Sequence, residues 1–215
     1  MALRTETPEI YTDLERKLMT ATFPPGQRLK PGALQAEYGC SPNTVRDVLL
    51  RLSKVGLVDF ELQRGFRARA ATPERRRDIT RFRILLEQEG ASRSMEHGGV
   101  VWEADIAAAH TRLGHIEREI ARSTDVAAHV ELWSDAELAF HETLISACGS
   151  AILKETYRNT YAQFRQQYVS LEQGSEVGHF GRIISEHQAI LDAALARDAS
   201  ACRQAIYAHL ERNLT

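Results

Sequence analysis

Glu137, His141, His187 and His209 are the residues whose types and spacing suggest chemistry. His187 and His209 lie eleven positions on either side of Asp198, within HFGRIISEHQAILDAALARDASACRQAIYAHLERNL, a stretch that reads as helix, break, helix. In an antiparallel helical hairpin, residues equidistant from the turn share one height, so the two imidazoles face each other. Glu137 and His141 are four apart in DAELAFHETLI, which puts both on one helical face. Three imidazoles and a carboxylate suit a first-row divalent ion, and ligand type alone leaves Zn, Ni and Mn open. Ligation needs neutral imidazole, so the site is expected to weaken in acid.

A lone helical histidine is ordinarily a surface or core residue, so the combined spacing carries the inference. His97, His110, His115, His129 and His179 show no comparable relation. Helical bundles also hold catalytic metals, but di-iron bundles need two Glu-x-x-His pairs and further glutamates. One Glu–His pair at a spacing of four is present and HExxH is absent, so no enzyme is expected. Two alternatives stand beside a sensing site: a metalloenzyme acting on a small organic acid, and an ion that only staples helices.

Helices must position these ligands. PERRRDITRFRILLEQEGASRS opens a long helix, and apolar periodic stretches follow at about 102–121, 125–147, 151–172, 179–196 and 199–212. Breaks are expected near Gly98-Gly99, Ser123, Gly149, Gly174 and Asp198. No strand alternation appears in this part, and about six helices in an antiparallel bundle is the simplest architecture.

The first third reads differently. Ile10, Leu14 and Leu18 form one helical stripe that ends at FPPGQRL. A short helix over about Gly32 to Tyr38 is closed by Gly39; Ser41 is placed as an N-cap, with Pro42 at the first helical position. Val45, Val48, Leu49 and Leu52 make the buried face of the helix that follows. LVDFELQRGFRARA then predicts two strands with Arg64 and Gly65 at the tip of their turn. Three helices and a hairpin make a winged helix-turn-helix. Its recognition helix would present Asn43, Thr44 and Arg46 to base edges in the major groove, with the N-cap Ser41 also counted among the DNA-binding residues. Arg28, Lys30, Arg51, Arg64 and Arg67 are expected at phosphates, although each taken singly reads more readily as a solvated surface charge.

Charge divides the same way. Up to Arg77 there are 14 Lys+Arg against 9 Asp+Glu, and the remainder has 13 against 20, so a net −2 hides +5 and −7. A basic module joined to an acidic one suits nucleic-acid binding coupled to a ligand or oligomerisation domain. The three cysteines form no CxxC pair, and no run approaches about eighteen apolar residues. The sequence reads as a cytoplasmic, mainly α protein with no membrane span. Residues 1–73 form the winged helix-turn-helix and 74–215 the helical domain.

PPGQRL, Leu34, GCSPNTVRDVLLRLSKVGLVDF and the RGF wing together resemble the GntR family of bacterial transcription regulators over about residues 8–71. The resemblance implies DNA contact by Arg46 and a wing-tip glycine at Gly65. Gly32 and Pro42 depart from arginines common in the family, which implies an altered operator affinity or preference.

From about Arg75 onward, RFRILLE, AELAFHETLISACGSAIL and EHQAILDAALARDASACRQAIYAHL resemble the FCD ligand-binding domain of the FadR-like branch. The metal-binding version carries an Asp or Asn four before the first of three histidines. His141, His187 and His209 fit this pattern, and Glu137 stands at the Asp position. Ser150 replaces a common asparagine, a change in a helix cap.

The resemblance implies open metal positions taken by water or by a small carboxylate metabolite. Arg83, in the RxxLE motif, would clamp the far end of that anion or else form a surface salt bridge with Glu87. It also implies a homodimer on a pseudo-palindromic operator, with repression relieved by the metabolite as the default reading.

Overall fold

The computed structural model describes residues 7–123, 129–171 and 180–214. The break expected at Gly174, the 125 end of one stretch, and His179 lie outside these residues. Mainly α architecture is present: among the described residues, nine α-helices accompany one small antiparallel sheet. The chain divides into two compact units, one of Met1–Arg76 with Ala162–Leu171 and one of Arg77–Tyr161 with Glu172–Thr215.

In the first unit, α1 (Thr7–Met19), α2 (Pro31–Tyr38) and α3 (Pro42–Lys54) close on β1 (Arg28–Leu29), β2 (Val58–Glu61) and β3 (Gly65–Ala68). Gly39 adopts the left-handed conformation (φ 62°) that ends α2, and the Ser41 hydroxyl accepts from the Thr44 N–H at 3.1 Å to start α3. Ile10, Leu14 and Leu18 pack with Val45, Val48, Leu49 and Leu52, all fully buried. Each contributes roughly 1.5–3 kcal/mol through burial.

Two details of this unit differ from the sequence reading. β1 pairs with β3 to make the sheet order β1-β3-β2. A two-residue strand is too short to show alternation. The wing turn is Leu62–Arg64, with Gln63 at φ 67°, while Gly65 already pairs with Glu61 at the start of β3.

The same unit includes the second half of α7 (Ala151–Leu171). Ala162 enters its core, the Gln166 amide donates to the Leu57 carbonyl at 3.0 Å, and Gln167 bridges the Ala70 carbonyl and the Thr72 N–H.

The second unit holds α4 (Pro73–His97) from Arg77 onward, α5 (Val100–Ile120), α6 (Val130–Leu144), the first half of α7, α8 (Phe180–Leu195) and α9 (Ala199–Leu210). A short 3-10 turn, Glu211–Leu214, follows. α5 packs on α6 and α8, and α8 packs on α9. The Asp198 carboxylate accepts from the Ala201 N–H at 2.9 Å and starts α9 after Arg197 has turned the chain (φ 54°). Ser150 caps α7 by accepting from the Leu153 N–H at 3.2 Å. At Gly90 a Cβ would come within 2.7 Å of Ile145 Cγ2. The bare backbone therefore lets α4 approach the end of α6, which brings Glu87 within reach of His141.

Candidate functional site

Glu137 and His141 on α6, His187 on α8 and His209 on α9 converge inside the second unit. All four are buried, and one ligand atom from each lies within 4.8 Å of the other three. Ring centroids are 5.3 Å apart for His141 and His187, 5.4 Å for His141 and His209, and 4.5 Å for His187 and His209. The α8–α9 hairpin thus sets its two imidazoles at one height, as their equal distance from Asp198 predicts. Glu137 Oε1 is 3.8 Å from His141 Nε2, as spacing on one helical face requires. Ligands about 2.1 Å from one ion stand roughly 3–4 Å from each other, so small side-chain shifts would close the set.

Each imidazole turns its Nδ1 to a different carboxylate. His141 Nδ1 is 2.5 Å from Glu87 Oε1, His187 Nδ1 is 2.8 Å from Glu117 Oε1, and His209 Nδ1 is 3.0 Å from Glu186 Oε2. An ionised carboxylate only accepts, so a neutral imidazole in this arrangement would carry its proton on Nδ1 and leave the Nε2 lone pair free. The Nε2 atoms of His141 and His187 are buried with no hydrogen-bond partner. Buried polar atoms are normally satisfied, and two adjacent unsatisfied lone pairs beside Glu137 are the donor set of a cation. These residues fit a divalent metal.

The surroundings favour neutral imidazole at His141 and His209. Burial, followed by the neighbouring His187 and His141, holds His209 well below the ordinary imidazole value. Burial also lowers His141, outweighing the pull of Glu87. At Glu87 burial works in the opposite direction, but His141 and Arg83 overcome it and lower the carboxyl to about 2.

Arg83 is also buried here. Its Nη2 is 3.3 Å from Glu137 Oε1, its Nε is 3.4 Å from Glu87 Oε2, and its guanidinium lies over the Tyr161 ring. The pair with Glu87 therefore exists, but it lies in the interior and is shared with Glu137, which corrects its expected place at the surface. Tyr161 donates to Glu137 Oε2 at 2.8 Å and Tyr157 to Glu87 Oε2 at 3.0 Å.

Glu117, Glu186, Tyr157 and Tyr161 went unnoticed in the sequence. Glu87 was visible as a helical neighbour of Arg83, but the others come from unrelated positions. Glu186 even precedes His187 in the chain while serving His209.

In the first unit, Ser41, Asn43 and Arg46 are exposed at the start of α3, with Thr44 partly so. Ser41 and Thr44 are linked through their hydroxyls at 2.9 Å. The Arg46 guanidinium lies 5.8 and 5.9 Å from the ring centroids of Phe60 and Phe66, so the sheet steadies it beside the helix. Arg28 and Lys30 are exposed on and next to β1, and Arg67, paired with Arg28 across the ladder, donates to the Gly26 carbonyl at 3.1 Å. Arg64 pairs with Glu61 at 2.9 Å within the wing, next to Gly65. Arg51 stacks over Tyr11 at 4.7 Å, towards the far end of α3 from Ser41.

Comparison with known proteins finds two families along the chain. The model of bacterial regulatory proteins of the gntR family matches residues 7–67, and the FCD domain model matches residues 78–212. The chain is 30% identical over 205 residues to the uncharacterized HTH-type transcriptional regulator BphR of Paraburkholderia xenovorans, covering 95% of this chain and 82% of that protein. It is 26% identical over 208 residues to the HTH-type transcriptional repressor GlaR of Escherichia coli, covering 93% and 90%. The solved structure of E. coli McbR/YncC shares the fold, with a TM-score of 0.81 at 19% identity over 100% of this chain and 96% of that one. No helix among the described residues is long and apolar enough to cross a membrane. Winged helix, helical second unit and relatives agree: the chain belongs to the GntR family of transcriptional regulators, with a GntR helix-turn-helix domain followed by an FCD domain, and is not an enzyme.

Proposed function

We propose that this regulator is a cytoplasmic homodimer that binds a pseudo-palindromic operator and responds to a small carboxylate metabolite through a divalent metal, Zn, Ni or Mn. Glu137, His141, His187 and His209 would hold the ion. The observation that carries the reading is the pair of buried, unpartnered Nε2 atoms facing the Glu137 carboxylate.

Bound there, the ion supplies positive charge and open coordination positions for an anionic oxygen. Arg83 lies beside Glu137 and would orient the same anion. Base contacts are assigned to Ser41, Asn43, Thr44 and Arg46. Arg28, Lys30, Arg64 and the Gly65 backbone take phosphates, and so does Arg51 once it swings from Tyr11. The metabolite shifts the population of DNA-binding states by its differential affinity for them. Repression relieved by the metabolite is the preferred sense, supported by the name of the relative GlaR.

Titration calorimetry of stripped and metal-loaded protein against small carboxylates tests the reading, together with operator binding followed by fluorescence anisotropy. The expected result is carboxylate binding that requires the metal and weakens operator binding. Equal carboxylate affinity with and without metal would leave the ion a structural staple.

A further inference from the structure

We propose that Glu117, together with Glu87 and Glu186, is a positioning residue for the metal, each carboxylate fixing one imidazole with its Nε2 towards the ion, and that Glu117 makes the largest contribution. The inference rests on the metal reading above and assigns residues outside its ligand set. Three histidines from three helices each find a separate glutamate, from α4, α5 and α8, at 2.5, 2.8 and 3.0 Å. A ring that meets a carboxylate at Nδ1 cannot present its N–H to the ion, so the tautomer and ring plane are fixed before metal arrives.

The three carboxylates differ in how much of their charge reaches the ring. Glu186 is shared with the cations Arg212 and Arg182, the latter at 2.7 Å. Glu87 is shared with Arg83 and Tyr157. Among the described residues, Glu117 has no Arg or Lys beside it: it meets His187 Nδ1 at 2.8 Å and the Trp133 indole N–H at 3.3 Å, and its Oε2 is buried without a partner. A buried carboxylate with no Arg or Lys beside it has less of its charge offset than Glu87 or Glu186 has, and more of it reaches the ring. A divalent ion on the far side of His187 is the counter-charge that accounts for it. The competing role for Glu117, satisfying Trp133 alone, predicts no dependence of metal binding on the carboxylate charge.

The test measures Zn2+ affinity of the full-length chain by competition with a chromogenic chelator. Glu117→Gln keeps the shape and an acceptor oxygen but removes the charge, and is expected to weaken Zn2+ binding about 10–100-fold. Glu186→Gln should weaken it by a smaller factor, because arginines already offset that carboxylate. Trp133→Phe removes the other donor to Glu117 and should leave Zn2+ affinity close to wild type. Unchanged affinity in Glu117→Gln, or an equal loss in Trp133→Phe, overturns the assignment.

If Glu117→Gln does not fold, nitrogen-15 NMR of His187 in the metal-free wild type decides the matter. An Nδ1–H tautomer supports the role and an Nε2–H tautomer overturns it. Wild-type protein that takes up no Zn2+ overturns the metal reading itself, and is distinguishable from wild-type binding with an indifferent Glu117→Gln variant.

Discussion

Arg83 and Glu137 form an ion pair at 3.3 Å with both side chains almost wholly withdrawn from solvent. The same guanidinium pairs with Glu87, so one cation stands between a proposed metal ligand and a carboxylate that orients another. Under the proposed function, an anionic effector reaching for Arg83 would compete with Glu137 and would thereby alter the proposed coordination of the metal.

Arg83→Met should destabilise the protein by about 3–5 kcal/mol, because it leaves buried carboxylates uncompensated. Arg158→Met breaks a shorter pair with Glu142, at 2.6 and 2.8 Å, but at the surface, where such pairs contribute about 0–1 kcal/mol. Urea unfolding of the metal-free variants compares them. A similar loss in both would show that burial does not decide the strength of the Arg83 pair.

The histidines give the metal-free protein a pH dependence whose sign is fixed. His209 and His141 have folded-state values below the ordinary imidazole value of about 6.5, so the folded chain binds fewer protons than the unfolded one. Their contribution to stability is fully present above about pH 6.5 and is lost as the pH falls below it towards the folded-state values. The urea midpoint should therefore fall between about pH 7.5 and pH 5.5, and His209→Gln should flatten the dependence. A midpoint that rises in this interval would contradict the assignment of buried neutral imidazoles.

Spacing made the convergence of Glu137, His141, His187 and His209 legible. Four residues along α6 and eleven on either side of Asp198 are distances that helical geometry turns directly into proximity. The same logic recovered the buried faces of α1 and α3, because apolar periodicity is local. It could not supply Glu117 or Glu186, whose roles depend on how α5, α8 and α9 pack together. It also missed the second half of α7 in the first unit, since Gln167 meets Ala70 and Thr72 across more than ninety residues.

That last contact predicts a stability effect far from the winged helix in sequence. Gln167→Leu would leave the Ala70 carbonyl and the Thr72 N–H without their side-chain partner, at about 0.5–1.5 kcal/mol for each hydrogen bond lost at this partly exposed site. Hydrogen exchange in residues 57–72 should accelerate in this variant. Unaltered exchange would mean that these backbone groups find water instead.

For DNA, Arg46 and Lys30 should separate specificity from affinity. Arg46 sits at the exposed start of α3 and is steadied by Phe60 and Phe66, so Arg46→Ala should lose about 1–3 kcal/mol on the operator and narrow its preference over unrelated DNA. Lys30, exposed immediately after β1, is assigned to a phosphate. Lys30→Ala should weaken operator and unrelated DNA alike and reduce the slope of log affinity against log salt by about one per site. Anisotropy titrations at several salt concentrations on both DNAs read the two effects in one experiment. A change in salt slope without a change in preference for Arg46→Ala would move that arginine from the base edges to the backbone.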